Sequence, residues 1–501
     1  MSLTPCVLAF DLGASSGRAL IGELVREESG HPGRLNITEI HRFANTPVQI
    51  GDHLHWNIAM LLQEIKYAIR QAFQAGYKPV SCGMDTWGVD FGLLDHNGEL
   101  LGLPYHYRDR QTEGLVEEVS ALIGKERLFR ESGLQFMPFN TLYQLYAMKK
   151  SGSPKLKLAQ TLLLTPDLLN YFLTGRRICE FTMATTTQLY DPVKGAWNVP
   201  LMEQLGLPAE ILPALVYPGT VIGELTEALC AELDVPPLKV VAVASHDTES
   251  AAVAVPSSSM PLAYLVSGTW SLLGTPMERP LLDPAVLELQ FSNEGGAGGS
   301  YHLLKNIMGL WILQECRRKW ELARNSYSYS DLGLLAEAAP PFRCFIDPDD
   351  LRFMNPADMP KEIIDYCRET GQVEPRSDGE IVRCVMESLA LRYRQVLEQA
   401  ERLTGVGFKG LHMVGGGIQN ELLCQFTANA LERPVWTGPI EASAIGNMLV
   451  QLQAGGYIRN MEEGSAVVKA TFPLQVYEPE GRSEWAEAYE KYSGLASRAV
   501  H

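Results

Sequence analysis

The chain of 501 residues lacks most of the short motifs that announce a chemistry. There is no G-x-x-x-x-G-K-[ST], which excludes a P-loop nucleotide site. No Gly-rich strand-to-helix turn near the start fits the dinucleotide fingerprint. Neither H-E-x-x-H nor C-x-x-C occurs, so the common zinc and thiol-redox signatures are missing. No apolar run approaches the roughly 18 residues that a membrane helix needs. No basic region precedes the short apolar stretch in MSLTPCVLAFDLG, so no signal peptide is expected. Positive charge is also scarce: 42 Lys+Arg stand against 59 Asp+Glu, a net charge of −17. Such a surface repels phosphate backbones and argues against general nucleic-acid binding. It still leaves room for a nucleotide, because a nest of backbone N–H groups and a metal ion override the global field locally. The nine cysteines are scattered, as in a reduced cytosolic protein.

What is present is the patterning of a globular α/β protein. A length of 501 residues exceeds one ordinary core of about 100–200 residues. CVLAFDLG and RALIGEL flank the turn ASSG, a hairpin signal. A helix follows from Ala59, with Asn57 placed to cap it and Gly76 to end it. KVVAVAS, from Lys239, reads as a continuous buried strand ending in His246-Asp247-Thr248. A second hairpin signal, AYLVSG-TW-SLLGTP, echoes the first and suggests two halves on a common plan. Ser377 and Glu380 are spaced as a capping box before a long helix. LHMVGGG is a strand entering a Gly turn, and Asn420 can cap the helix after it. The main boundary is expected near residue 250, with a turn-rich connection around SSSM. The expected division is 1–250, 251–475 and a polar helical tail over 476–501.

Candidate chemistry sits at the strand ends. Asp11 to Arg18 offers a tight turn whose amides and two hydroxyls suit phosphate oxygens. There Asp11 could hold Mg²⁺ through water, and Arg18 could neutralise phosphate. An ordinary hairpin is the alternative. Asp247, at a strand's carboxyl end, either accepts a proton or caps the helix D-T-E-S-A-A. An ordinary Asp pKa of about 3.9 would leave it ionised. Ser267 to Ser271 is a second phosphate-sized turn or a plain hairpin. Gly415-Gly416-Gly417 is either a surface for a base or ribose, or a turn needing positive φ. Asp85 to Asp90 groups two carboxylates with Trp87, as a sugar site or a structural Trp. Binding is conceivable at Asn293 to Gly296 and at Lys305 to Trp311, where packing is the default.

In this order the segments FDLGASSGR, ITEIHRF, DTWGVDFGLLD, FNTLYQL, ATTTQLYD, ASHDTES, SGTWSLLG, SNEGG, LKNIMGLW, VGGGIQNELL and GPIEASAIGN resemble the FGGY carbohydrate kinases. The resemblance runs from Val7 to about Val476 and is nearest to the branch that acts on L-rhamnulose. It implies two ribonuclease H-like, actin-type domains with a cleft between them, the first mainly for sugar and the second mainly for ATP. It implies ATP-dependent phosphorylation of L-rhamnulose to L-rhamnulose 1-phosphate in L-rhamnose catabolism. Kinases for L-fuculose or D-xylulose, and an actin-type nucleotide switch, are the alternatives. By position, Ala14, Ser15, Ser16, Gly17 and Arg18 would touch the ATP phosphates, and Asp247 would be the proton acceptor. Gly88, His246, Asp247, Thr248 and Asn306 would line the sugar, while Thr269, Gln314 and Gly416 would contact ATP. Mg²⁺ and ATP are the expected cofactors, with a cytoplasmic location, no membrane or nucleic-acid partner, and monomer or dimer left open. Relatives often carry Trp-Asp where this chain has Trp56-Asn57. Glu249 stands where smaller residues are common and is expected to face away from Asp247. Cys367 and Cys384 by themselves read as two unremarkable buried thiols; some relatives pair cysteines at matching positions, so the resemblance adds a disulfide as the alternative, which a reducing cytosol opposes.

Overall fold

The computed structural model describes residues 4–26, 32–256, 261–323 and 325–496. They form two compact units that are not continuous in sequence. The first comprises Met1–Pro256, Pro276–Leu303 and Ala442–Phe472; the second comprises Ser257–Thr275, Leu304–Glu441 and Pro473–His501. The connection expected at residues 257–260 lies outside the described residues.

In the first unit, β1 (Cys6–Leu12), β2 (Ser16–Val25), β3 (Arg34–Ala44), β4 (Ser81–Thr86), β5 (Val221–Glu224) and β6 (Lys239–Val241) form one sheet of order β5-β6-β4-β1-β2-β3. β1 and β2 are the expected hairpin, with Asp11 opposite Arg18. Gly13 to Gly17 has the G-x-S-x-G spacing of a nucleophile elbow, but here it turns a strand into a strand, not into a helix. β4 runs parallel to β1 and sets Asp85 beside Asp11. Every residue of β1 and β4 is buried, as expected for central strands covered on both faces. α1 (Ile58–Gln74) is capped by Asn57, whose side chain accepts from the Met60 N–H.

KVVAVAS is not one long strand. Its ladder stops at Val241 and resumes only at a bridge between Thr86 and His246. In the terminal stretch the N–H groups are taken by side chains. Ser245 N–H donates to Glu180 Oε2 at 3.2 Å, and His246 N–H to Thr182 Oγ1 at 3.1 Å. Backbone donors satisfied in this way have no need of a strand partner. α2 (Asp247–Val253) begins at once.

The second unit repeats the plan. β7 (Tyr264–Ser267), β8 (Trp270–Met277, in this unit to Thr275), β9 (Tyr301–Met308, in this unit from Leu304), β10 (Leu411–Val414), β11 (Val435–Thr437) and β12 (Gln475–Tyr477) follow the order β9-β8-β7-β10-β11-β12. β7 and β8 are an antiparallel hairpin, β10 and β11 add in parallel, and β12 closes antiparallel. Its helices include α3 (Trp311–Leu322), α4 (Met359–Glu369), α5 (Asp378–Thr404) and α6 (Glu421–Leu431). Asn420 caps α6 as expected. The capping box at α5 forms only in half. Ser377 accepts from the Glu380 N–H, but the Glu380 carboxylate takes the Arg376 N–H instead.

α7 (Ala442–Ala454) belongs to the first unit and packs on β1, β4 and α2. Its Asn447 donates to Asp85 Oδ2 at 2.7 Å, and its Gln451 donates to the Leu8 carbonyl at 3.1 Å. α8 (Arg482–Ala496) follows β12. The segment from 476 is therefore not a plain polar tail: it begins in the edge strand, and Trp485, Ala488 and Tyr492 of α8 are buried. Apolar residues spaced at three and four along α8 give it a core face that its overall polarity conceals.

Candidate active site

In the first unit the ends of β1, β4 and the segment after β6 bring carboxylates together. Asp11 and Asp85 are register partners on parallel strands, and Thr86 pairs with His246. Asp11 is buried and ion-paired with Arg18 at 3.0 Å. Burial pushes the Asp11 carboxyl up against the opposing pull of Arg18. Asp85 is fully buried, and that burial, with the Asp11 and Asp247 charges beside it, holds its pKa well above the ordinary range. Its Oδ1 has no hydrogen-bond partner among the described residues.

Asp247 is the first residue of α2 and is not its cap, which is His246. Its Oδ1 accepts from Thr248 Oγ1 at 3.3 Å, and its side chain stays 30% exposed. Its pKa is not the ordinary one: burial and the Asp11 charge push it up to about 6, against the pull of His246. The carboxylate is therefore mostly ionised at neutral pH and a better base than a free Asp.

His246 stands between two acids. Its Nε2 lies 3.6 Å from Asp247 Oδ1, and its Nδ1 lies 3.1 Å from Glu294 Oε2. Burial opposes a charge on the ring, but Glu294, with Asp247 and Glu249, outweighs it and raises the pKa to about 9. Glu249 does not face away. It is fully buried and ion-paired with His302 at 2.7 Å. A seven-residue helix packed under α7 has little free face left, so its third residue turns inward.

Glu180 braces this constellation from behind. It accepts from Thr182 N–H, Thr182 Oγ1, Met183 N–H and Ser245 N–H at 2.8, 2.5, 3.2 and 3.2 Å. Thr182 in turn fixes the His246 N–H. The sequence offered no signal that Glu180 and Thr182 brace the site, because the groups they hold there, the Ser245 and His246 N–H, are more than 60 residues away. Glu294 lies in the Asn293 to Gly296 stretch, where packing was the default.

The Asp85 to Asp90 loop splits between two duties. Asp90 accepts from Trp56 Nε1, Trp87 Nε1, Gln144 Nε2 and the Tyr107 N–H at 2.5, 2.9, 2.8 and 3.1 Å. Trp87 is buried against Trp56, ring centroids 3.9 Å apart. Both are therefore framework. Gly88 remains partly open. The next residue, Val89, is held at φ 68°, a costly conformation for a β-branched residue that tends to occur at functional loops.

The first hairpin turn leaves Ala14, Ser15 and Ser16 partly or fully exposed. The second unit brings together Thr269 and Gln314, with Thr269 Oγ1 donating to Gln314 Oε1 at 3.3 Å. Gly415, at φ 88°, and Gly417 press on Ser267, where a Cβ on Gly417 would stand 2.1 Å from Ser267 Oγ. Between them, a Cβ on Gly416 would meet nothing within 4 Å. Asn306 is half-buried on β9. Cys367 and Cys384 are free thiols, as are the other seven cysteines.

Comparison with known proteins gives the family. Residues 6–254 match the N-terminal domain of the FGGY family of carbohydrate kinases, and residues 263–455 match its C-terminal domain. The chain belongs to the FGGY family of carbohydrate kinases. This FGGY kinase is 42% identical over 481 residues to a rhamnulokinase of Bacteroides thetaiotaomicron, covering 96% of this chain and 97% of that protein. It is 42% identical over 493 residues to a rhamnulokinase of Pectobacterium carotovorum, covering 98% and 96%. Among solved structures, a ligand-bound xylulose kinase from Lactobacillus acidophilus matches with a TM-score of 0.80 at 16% identity, over 99% of this chain and 98% of that one. That likeness supports the two-domain actin-type fold. No helix among the described residues is long and apolar enough to cross a membrane.

Proposed function

We propose that this FGGY kinase transfers the γ-phosphoryl group of ATP to O1 of L-rhamnulose, giving L-rhamnulose 1-phosphate and ADP, in L-rhamnose catabolism in the cytoplasm. The observation that carries the chemistry is Asp247: a partly exposed carboxylate with a pKa near 6 beside a charged His246. The choice of sugar rests on the rhamnulokinase relatives at 42% identity.

Phosphoryl transfer asks the protein for one proton acceptor and for charge neutralisation. Asp247 takes the O1–H proton as O1 bonds to the γ-phosphorus and the bond to the β–γ bridging oxygen breaks. His246, Thr248, Gly88 and Asn306 line the sugar. Glu294 keeps His246 protonated, so the ring donates to the sugar and tempers the basicity of Asp247. Ala14, Ser15, Ser16, Gly17 and Arg18 meet the phosphates, while Thr269, Gln314 and Gly416 take the nucleotide.

The acid pair Asp11 and Asp85 fits a hydrated divalent cation, since Asp85 Oδ1 is buried without a hydrogen-bond partner among the described residues and Asp11 is its register neighbour. Mg²⁺ held there through water would neutralise phosphate charge.

The test is ADP release measured against a panel of ketoses. L-rhamnulose is expected to give the highest kcat/KM, with no release in its absence. ADP release that ignores every ketose would sink the kinase reading. A higher kcat/KM for L-fuculose or D-xylulose would move the substrate.

A further inference from the structure

We propose that Cys344, Cys367 and Cys384 form a three-thiolate site for one soft monovalent cation, copper(I). The three thiols lie in the second unit, on the irregular segment after residue 340, on α4 and on α5. They are 3%, 0% and 2% exposed. Their sulfurs all lie within 4.8 Å of one another. Metal–thiolate bonds of about 2.3 Å put three sulfurs in one plane about 4 Å apart, so the triangle closes on an ion with little movement.

Several features set this triangle apart from a chance cluster of thiols. The segment carrying Cys344 is fastened on both sides. Phe342 N–H donates to Glu387 Oε2 and Ile346 N–H to Ser388 Oγ, both on α5, at 2.9 Å each. Gln372, just past α4, accepts from Phe345 N–H and donates to its carbonyl, both at 2.8 Å. All three segments are therefore braced before any ion arrives, which is what a ligand set requires. Binding displaces the thiol protons: three S–Cu bonds form, three S–H bonds break and three protons leave.

The chemistry of the set selects the ion. All three donors are soft sulfur, and no histidine or carboxylate joins the group among the described residues. Structural zinc takes four ligands, and this site supplies three inside an apolar core. Thiolates without nitrogen or oxygen partners favour copper(I), which accepts three-fold coordination. A Cys367–Cys384 disulfide is the competing state. It would need an oxidant and would leave Cys344 alone.

The experiment uses the full chain, reduced and oxygen-free, titrated with copper(I) held by the chromogenic chelator bicinchoninate. The expected result is one copper withdrawn per chain, three protons released and an ultraviolet thiolate-to-copper band. Cys344→Ser and Cys367→Ser should each weaken retention by about 100-fold or more, since losing a direct ligand costs at least as much as losing its support. Cys316→Ser, a buried thiol outside the triangle, should leave retention unchanged. If a triangle variant fails to fold, the wild-type stoichiometry and proton count still decide. The proposal is overturned if the chelator keeps all the copper. It is equally overturned if Cys344→Ser binds like wild type.

Discussion

The two sheets share an order and differ in what they carry at the same place. In each, an antiparallel hairpin joins a parallel strand, a second parallel strand follows, and an antiparallel strand closes the edge. Where β1 meets β4, the register pair near the turn is Asp11 and Asp85. Where β7 meets β10, it is Val266 and Val414. The first sheet ends in charge, and the segment beside it brings Asp247 and His246. The second ends in small residues: Ser267, Gly268 and Gly415 to Gly417. One scaffold thus presents clustered carboxylates in one copy and open backbone in the other. A strand end fixes where a side chain stands, and the side chain decides what happens there.

The largest break in this contrast is expected at Asp247. Asp247→Asn should keep sugar and ATP binding and lose kcat by about 10²–10⁴-fold, the usual worth of a positioned base. Near-normal turnover in a steady-state assay would remove the acid–base role from the first sheet.

Glu294→Gln comes next. Losing that carboxylate lowers the His246 pKa from about 9, and a neutral ring no longer holds Asp247 down near 6. In wild type, kcat should fall roughly tenfold per pH unit below about 6, as Asp247 takes up a proton. In the variant that limb should move to higher pH, with kcat reduced about tenfold at neutrality. Stability offers a second readout. The folded-state pKa of His246 is raised, so its contribution is fully present below its ordinary pKa of about 6.5 and is lost as pH rises through about 9. The urea midpoint should decline across that window in wild type and decline less in the variant.

The second sheet is probed by size. Gly417→Ala puts a methyl group 2.1 Å from Ser267 Oγ and should cost about 1–3 kcal/mol of stability by overpacking. A denaturation midpoint equal to wild type would show that the close approach is not required. Gly416→Ala meets nothing within 4 Å, so its stability should change by less than about 0.5 kcal/mol. Its KM for ATP should nevertheless rise several-fold with kcat nearly constant, because only bound nucleotide would feel the methyl group.

Much of this was legible along the chain because the signals are local. The two hairpins, the Asn57 and Asn420 caps and the Gly415 turn each depend on residues within a few positions. The same holds for Asp247 at the end of an apolar run. The misreadings were mostly non-local. Glu380 is the local exception: its carboxylate takes the Arg376 N–H, one residue before the N–H that a capping box would use. The chain after 476 looked polar because a helix needs only one buried face. Glu249 looked outward because its partner, His302, is 53 residues on.

The sequence by itself determined the α/β class, the repeated hairpin plan, the family resemblance and the acid at position 247. Each is written in residue type and short-range spacing, which the backbone must obey wherever the segment ends up. Only the tertiary structure decided that Asp247 titrates near 6, that Glu294 charges His246, that Glu180 holds the Ser245 backbone and that three distant cysteines meet. Burial and Coulomb fields depend on which groups from far along the chain are folded against one another, and no local pattern records that.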